Sequence, residues 1–199
     1  MRQLKIVAIA ASLVGYPELS FAAQAGTAHA KSTASSGTCP SLLNQKFPRL
    51  QDDKPIDLCQ YAGKVVLVVN TASYCGFTPQ YKGLEALYRQ FGPEGLVVLG
   101  FPSNDFHQEM RDSGKIAAFC QGTYGVQFPM FAPSHVTEPD PNGFYRKLIA
   151  ATGSQPQWNF YKYLIARDGK VVNVYSSLTT PENQTFIETV QTLLRAKEK

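Results

Sequence analysis

Two uninterrupted apolar runs on either side of one amphipathic stretch place the strongest constraint on how this chain can fold. Residues 64–70 (KVVLVVN) and 96–101 (LVVLGF) lack polar alternation and are rich in β-branched side chains, which is typical of strands buried on both faces. Between them, apolar residues recur at helical spacing over residues 81–91, and Gly92-Pro93 ends the helix. This β-α-β order predicts a parallel pair of strands in a central sheet.

Shorter patterns predict the remaining elements. A polar, turn-rich stretch at 47–61 with its tip at 51–55 predicts an N-terminal β-hairpin, and the Asp-Gly pair at 168–169 predicts a second hairpin. The predicted helices lie at 115–121, 141–151 and 181–196, and the strands of the second hairpin lie at 161–166 and 171–175. This order is that of an α/β protein with a thioredoxin-like fold, in which helices flank a central mixed β-sheet and the N-terminal β-hairpin is an extension.

Residues 1–30 have the organisation of a signal peptide. Basic residues precede a short apolar run, and the small residues that follow suit cleavage near residue 22 or residue 30. The run is shorter than the roughly 20 residues that a membrane span needs, so we expect export to the periplasm without stable membrane insertion after cleavage. The alternative is an uncleaved anchor or a disordered tail. The expected organisation is then a flexible lead-in at 31–38 and a single domain at 39–199.

Charge and histidine spacing exclude several classes of function. The formal net charge is +4, and no run of Lys or Arg is dense enough to indicate a nucleic-acid partner. The three histidines (His29, His107 and His135) do not have the spacing of metal ligands. We therefore expect neither a metal nor any other cofactor.

Cys75 stands between the first buried strand and the head of the predicted helix, for which Thr78 suits the cap and Pro79 the first turn. Backbone N–H groups and the helix dipole favour an anion there, and so favour a reactive thiolate over an inert buried cysteine. Thioredoxin-like disulfide exchangers carry C-x-x-C at this place. This chain has Cys75-Gly76-Phe77-Thr78, which excludes dithiol exchange at the helix tip. A single thiolate suits attack on a peroxide O–O bond, giving a sulfenic acid that another thiol must resolve.

Four segments then carry a specific resemblance to a known family. They are VVLVVNTASYCGFTPQYKGLEALY, LGFPSNDFHQE, FCQGTYGVQFPMF and WNFYKYLI, which occur in family order and extend the match over about residues 63–177. The chain resembles the glutathione peroxidase family of the cysteine-containing, two-cysteine, thioredoxin-dependent type. The resemblance implies a thiol peroxidase that reduces hydroperoxides.

The resemblance also implies the catalytic residues. The family holds its thiolate with Gln, Trp and Asn side chains, which correspond to Gln108, Trp158 and Asn159 beside the catalytic Cys75. Amide and indole N–H groups are neutral donors that stabilise negative charge without adding a base. Considered alone, Trp158 also fits core packing and Gln108 a solvated loop. The usual family pattern N-Q-F-G-x-Q-E is one residue shorter here and lacks its Gly, so we expect the loop before Gln108 to take a different path.

Cys120 corresponds to the resolving cysteine of the two-cysteine members. The implied cycle forms a Cys75–Cys120 disulfide, which a thioredoxin-like donor or glutathione reduces. Its closure requires the helix around Cys120 to unwind locally. The alternative is a buried helical cysteine without a role.

Cys39 and Cys59 flank the N-terminal hairpin. In an exported protein they are expected to form a structural disulfide rather than two free thiols.

Aromatic neighbours of Cys75 suggest an open apolar mouth. Tyr74, Phe77, Phe101 and Phe106 are compatible with organic and lipid hydroperoxides as well as hydrogen peroxide. Two other functions fit the same residues: a peroxide sensor or redox relay that oxidises a partner protein, and a non-catalytic binding module. The short connection at 153–157 favours a monomer.

Overall fold

The structure is a computed structural model that describes residues 38–196. The predicted signal peptide and nearly all of the lead-in lie outside the described residues. The strands are β1 (Lys46–Pro48), β2 (Pro55–Asp57), β3 (Val65–Thr71), β4 (Leu96–Pro102), β5 (Lys162–Ile165) and β6 (Val171–Tyr175). The helices are α1 (Gln80–Phe91), α2 (Ser113–Tyr124), α3 (Gly143–Thr152) and α4 (Gln184–Arg195), with short 3₁₀ turns at Leu58–Tyr61 and Gly92–Glu94. Within this part of the chain, no helix is long and apolar enough to cross a membrane.

The central sheet has four strands in the order β4-β3-β5-β6. Strands β3 and β4 are parallel and paired from Val65↔Leu96 to Thr71↔Pro102, which confirms the predicted β-α-β unit. Strand β5 runs antiparallel to both β3 and β6. The separate β1–β2 pair is antiparallel, with Phe47 opposite Ile56, so the predicted N-terminal hairpin is also confirmed. The fold is thioredoxin-like, as the order of elements predicted.

Strand β3 is apolar throughout because both of its faces are covered. Val65, Leu67 and Val69 pack in one buried cluster with residues of α1 and α4. Val66 and Val68 point the other way, into a cluster with α3 and the N-terminal hairpin. The two clusters pack against β3 from both sides, and the chain continues from the end of β3 to Cys75.

The helices differ from prediction mainly at their ends. Asp112, Asn142 and Asn183 cap α2, α3 and α4 by accepting backbone N–H bonds, so α2 is longer than predicted and the other two begin later. The prediction that Thr78 caps α1 was wrong. Its hydroxyl accepts from the Cys75 N–H at 3.1 Å and donates to the Ala72 carbonyl at 2.8 Å, so it closes the turn that contains Cys75. Helix α1 consequently begins at Gln80.

The predicted Cys39–Cys59 disulfide is present and joins the chain before β1 to the 3₁₀ turn after β2. It closes a loop with a sequence separation of 20 residues. By loop entropy, such a bond contributes about 3 kcal/mol to the free energy of unfolding.

We therefore expect the Cys39→Ser/Cys59→Ser double variant to lose about 3 kcal/mol of unfolding free energy in urea titrations. The matched control is the parent titrated with and without a reductant, which should reproduce the same loss. Equal midpoints for parent and variant, without reductant, would contradict a stabilising bond.

Candidate active site

Cys75 lies in the turn between β3 and α1, and the residue is only 6% exposed. The Phe77 N–H donates to the Cys75 sulfur at 3.4 Å, and the Thr78 hydroxyl holds the Cys75 N–H. A backbone N–H directed at the sulfur near a helix start stabilises negative charge on it. The turn therefore directs a backbone hydrogen-bond donor at the one sulfur that stands just before α1.

The loop that carries Gln108 lies directly beside this turn. The Tyr74 N–H donates to the Gln108 carbonyl at 2.9 Å, and the Ser73 N–H donates to the Glu109 carboxylate at 3.1 Å. His107 has a left-handed backbone (φ 57°), a conformation that glycine adopts most easily. The shortened loop therefore turns at His107 without the usual glycine and still brings Gln108 to the turn of Cys75.

Asn159 joins this loop from a distant part of the sequence. It is fully buried, and its Nδ2 donates to the Gln108 Oε1 at 3.0 Å. Trp158 is not a core residue, because 41% of it is exposed, and its ring packs against Phe106 at 5.2 Å between centroids. Its carbonyl accepts from the Asn70 side chain at 3.0 Å, which ties this segment to the end of β3.

The structure thus places the segments that carry the predicted side chains next to one another, with a specific pattern of bonds. Gln108 and Asn159 bond to each other, and in residues 38–196 the hydrogen bond to the Cys75 sulfur comes from the Phe77 backbone. The Asn159 bond occupies the oxygen of the Gln108 amide, so the N–H₂ end of that amide remains for another acceptor. The roles of Gln108, Trp158 and Asn159 at the sulfur stay predictions.

Cys120 is buried in α2 within the same apolar cluster as Cys75. Burial raises the pKa of the Cys120 thiol to about 11, although the Tyr81 hydroxyl acts in the opposite direction. The thiol is therefore protonated and enclosed while α2 is intact. Cys75 and Cys120 are the two free cysteines of the described residues.

The predicted apolar mouth is partly wrong. Phe101 is fully buried and stacks on Phe131 at 4.6 Å on the opposite face of the sheet, because alternate residues of β4 point to opposite faces. Tyr74 is 67% exposed, and Phe106 is half-buried against Trp158. The exposed or half-buried aromatic side chains of the Cys75 turn, the Gln108 loop and the Trp158 segment are Tyr74, Phe77, Phe106 and Trp158, and we call this set the aromatic rim.

Sequence reasoning missed two polar residues that bond to the segments of the site. Asp105 accepts from the Val136 N–H at 2.7 Å and from the His135 ring at 2.6 Å, which anchors the Gln108 loop to the segment between α2 and α3. Burial acts to raise the pKa of Asp105, but the hydrogen bonds from Val136 and His135 bring it below its ordinary value. The sequence feature that could have indicated Asp105 is the departure from the family pattern at this position. The second residue, Lys162, stands in an apolar strand pattern and gave no signal.

Within residues 38–196, no group of His, Cys, Asp and Glu side chains is arranged to hold a metal ion.

Known proteins match both the sequence and the structure. The sequence model of the glutathione peroxidase family matches residues 44–149. The hydroperoxy fatty acid reductase gpx1 of Synechocystis sp. is 46% identical over 142 residues, covering 66% of this chain and 84% of that protein. The glutathione peroxidase-like peroxiredoxin gpx1 of Schizosaccharomyces pombe is 45% identical over 141 residues, covering 68% of this chain and 89% of that protein.

Solved structures agree. The crystal structure of Trgpx in its apo form superposes with a TM-score of 0.64 at 35% identity, covering 82% of this chain and all of that one. A thioredoxin-family thiol:disulfide interchange protein from Chlorobium tepidum superposes with a TM-score of 0.61 at 14% identity, covering 80% of this chain and 99% of that one, which shows the shared fold alone. From its sequence match and from the site at the end of β3, the chain belongs to the glutathione peroxidase family of peroxidases.

Proposed function

We propose that the chain reduces hydroperoxides through Cys75. The thiolate sulfur bonds to one peroxide oxygen, the O–O bond breaks, and the other oxygen leaves as water or an alcohol after taking up a proton. The observation that carries this proposal is the position of Cys75 in a turn at the head of α1, where the Phe77 N–H donates to its sulfur. The absence of a second thiol in Cys75-Gly76-Phe77-Thr78 supports a single-thiolate reaction.

Gln108, Trp158 and Asn159 stabilise the negative charge during this step. Their amide and indole groups are neutral donors, so they lower the energy of the thiolate and of the leaving oxygen without competing for a proton. The hydrogen bond between Asn159 and Gln108 supports the assignment, because it sets the orientation of the Gln108 amide beside the turn. The exposure of Trp158 is consistent with a role at the surface that peroxide reaches.

Cys120 resolves the sulfenic acid. Its thiol sulfur attacks the Cys75 sulfur, the S–O bond breaks, and the thiol proton leaves with the hydroxyl as water. Because Cys120 is buried in α2, this step requires local opening of that helix. A thioredoxin-like dithiol then reduces the disulfide by exchange and becomes oxidised itself, with glutathione as the alternative donor. The name of the fission-yeast relative, a peroxiredoxin, supports this cycle.

The aromatic rim supports organic and lipid hydroperoxides as substrates beside hydrogen peroxide. Tyr74 and Trp158 offer exposed apolar surface for the organic part of such molecules. The Synechocystis relative carries the name of a hydroperoxy fatty acid reductase. We further propose that the chain is exported to the periplasm as a monomer. The Cys39–Cys59 bond supports export, since such bonds persist in oxidising compartments.

A coupled assay with thioredoxin, thioredoxin reductase and NADPH tests the proposed function. We expect NADPH oxidation that depends on both the protein and peroxide, with hydrogen peroxide and cumene hydroperoxide used at rates within about a hundredfold of each other. Replacing thioredoxin by glutathione and glutathione reductase should give a slower rate. Stoichiometric oxidation of the protein without turnover by either donor would favour the relay function instead.

A further inference from the structure

Lys162 is a fully buried lysine on a sheet face that is otherwise lined mainly by apolar side chains. It lies on β5 opposite Val69 of β3, on the sheet face that α1 and α4 cover, and its exposed fraction is 0%. Its Nζ donates to the Gln80 Oε1 and to the Phe160 carbonyl, both at 2.8 Å. A buried ammonium is costly to the fold even when it is hydrogen-bonded, so its presence calls for a reason other than stability.

The carbonyl that Lys162 holds belongs to a residue in an unfavourable conformation. Phe160 has a left-handed backbone (φ 64°), which is rare for a bulky residue and costs on the order of 1 kcal/mol or more. Its N–H donates to the Asn70 carbonyl at 2.7 Å. The turn at Phe160 directly follows Asn159, so it sets the direction from which the Asn159 side chain meets Gln108.

A second set of bonds runs from Lys162 back to Asn159. Gln80, the first residue of α1, accepts from Lys162 and donates through its Nε2 to the Ser177 carbonyl at 2.7 Å. The Ser177 hydroxyl donates to the Asn159 carbonyl at 2.6 Å. The Asn159 and Phe160 carbonyls are thereby both held, and the same bonds reach the helix that starts after Cys75.

Electrostatics agree with a role other than stabilisation. Burial lowers the pKa of Lys162 to about 7, and the charge of Glu182, just before α4, only partly offsets it. Because the folded pKa lies below the ordinary value of 10.5, burial of Lys162 opposes folding, most strongly below about pH 7 and progressively less as the pH rises toward 10.5. An apolar residue of the same length should suit the core at least as well.

We propose that Lys162 is a positioning residue that holds Asn159 in the geometry for peroxide reduction, by fixing the left-handed turn at Phe160 and joining it to the start of α1. This inference rests on the proposed peroxidase function. Lys162 acts through Asn159 and Phe160 and does not itself touch the reacting atoms.

The test is Lys162→Met, which keeps the length of the side chain and removes the ammonium. Three properties are measured: Cys75 oxidation by hydrogen peroxide in single turnover, Cys75 alkylation by iodoacetamide, and the melting temperature. We expect peroxide oxidation to slow on the order of tenfold or more, since misplacement of a catalytic group has effects of that size. Alkylation should slow less than peroxide oxidation, because Asn159 then stabilises only the thiolate and no leaving oxygen, and the melting temperature should stay equal or rise.

Leu164→Met is the matched control, since Leu164 is buried on the same strand and in the cluster that covers the same face. It should leave both reactions unchanged. Lys162→Gln keeps a hydrogen-bond donor without the charge, and an intermediate peroxide rate is expected from it. Peroxide oxidation within about threefold of the parent in both Lys162 variants would overturn the proposal. So would a parallel loss of both reactions and of melting temperature in both variants, which would indicate a structural role. A parent that does not react with peroxide would refute the proposed function as well.

Discussion

Replacement of Cys75 by serine will abolish peroxide turnover, with a loss of at least about a thousandfold in the thioredoxin-coupled assay. The reason is chemical. A serine hydroxyl is not ionised at neutral pH, and it forms no sulfenic acid that a second thiol could resolve. The substitution should leave the fold intact, because the new side chain is small and the turn remains closed by the Thr78 hydroxyl.

Circular dichroism and the melting temperature of Cys75→Ser provide the control for folding. Cys39→Ser/Cys59→Ser is the matched control for chemistry, since it removes two other sulfurs of the chain and should keep its turnover under conditions where it is folded. Residual activity of Cys75→Ser above about a tenth of the parent rate would show that another group reacts with peroxide.

Replacement of Cys120 by serine will separate the oxidation of Cys75 by peroxide from the later formation of the disulfide. Oxidation of Cys75 by the first equivalent of peroxide should proceed at about the parent rate, because Cys120 takes no part in that step. Turnover with thioredoxin should fall on the order of a hundredfold, and Cys75 should accumulate as sulfinic acid, since no internal thiol captures the sulfenic acid. Mass spectrometry of the protein after excess peroxide measures this directly.

Cys120→Ala is the matched control, because it removes the same thiol without placing a hydroxyl in the buried site beside Tyr81. Both variants should behave alike. A Cys120 variant that turns over with thioredoxin as fast as the parent would show that Cys120 is not the resolving residue. In the parent, the opening of α2 that this step requires should appear as faster hydrogen exchange in α2 than in α1.

The sequence carried enough information for the arrangement of the sheet. Strand β3 is buried on both faces, so its apolar run without alternation was unambiguous, and the Asp168-Gly169 pair marked the hairpin of β5 and β6. Helix ends were less predictable because they depend on which side chain reaches the free N–H groups. Thr78 has the residue type of a cap, but its hydroxyl is engaged by the Cys75 N–H and the Ala72 carbonyl instead.

The candidate site was predictable where the type of a residue itself indicates its chemistry, and less predictable where the site depends on backbone conformation or on the direction of a side chain. The position of Cys75 followed from the strand-to-helix pattern. The placement of Gln108 beside Tyr74 depends on a left-handed backbone at His107. This conformation could not be predicted from the sequence, because glycine is the residue that normally indicates it. Phe101 was misplaced because its sequence distance from Gln108 is short, while its side chain points to the opposite face of the sheet.

The rate at which Cys75 reacts with hydrogen peroxide tests the central claim most directly, and Trp158, the single tryptophan of the chain, provides an intrinsic signal. Its exposed ring packs on Phe106, and the next residue bonds to Gln108, so oxidation of Cys75 should change its fluorescence in a stopped-flow experiment. We predict a second-order rate constant of at least about 10⁴ M⁻¹s⁻¹ near pH 7, with no signal from Cys75→Ser. A rate constant within about tenfold of that for free cysteine in the same buffer would contradict an activated thiolate at this site.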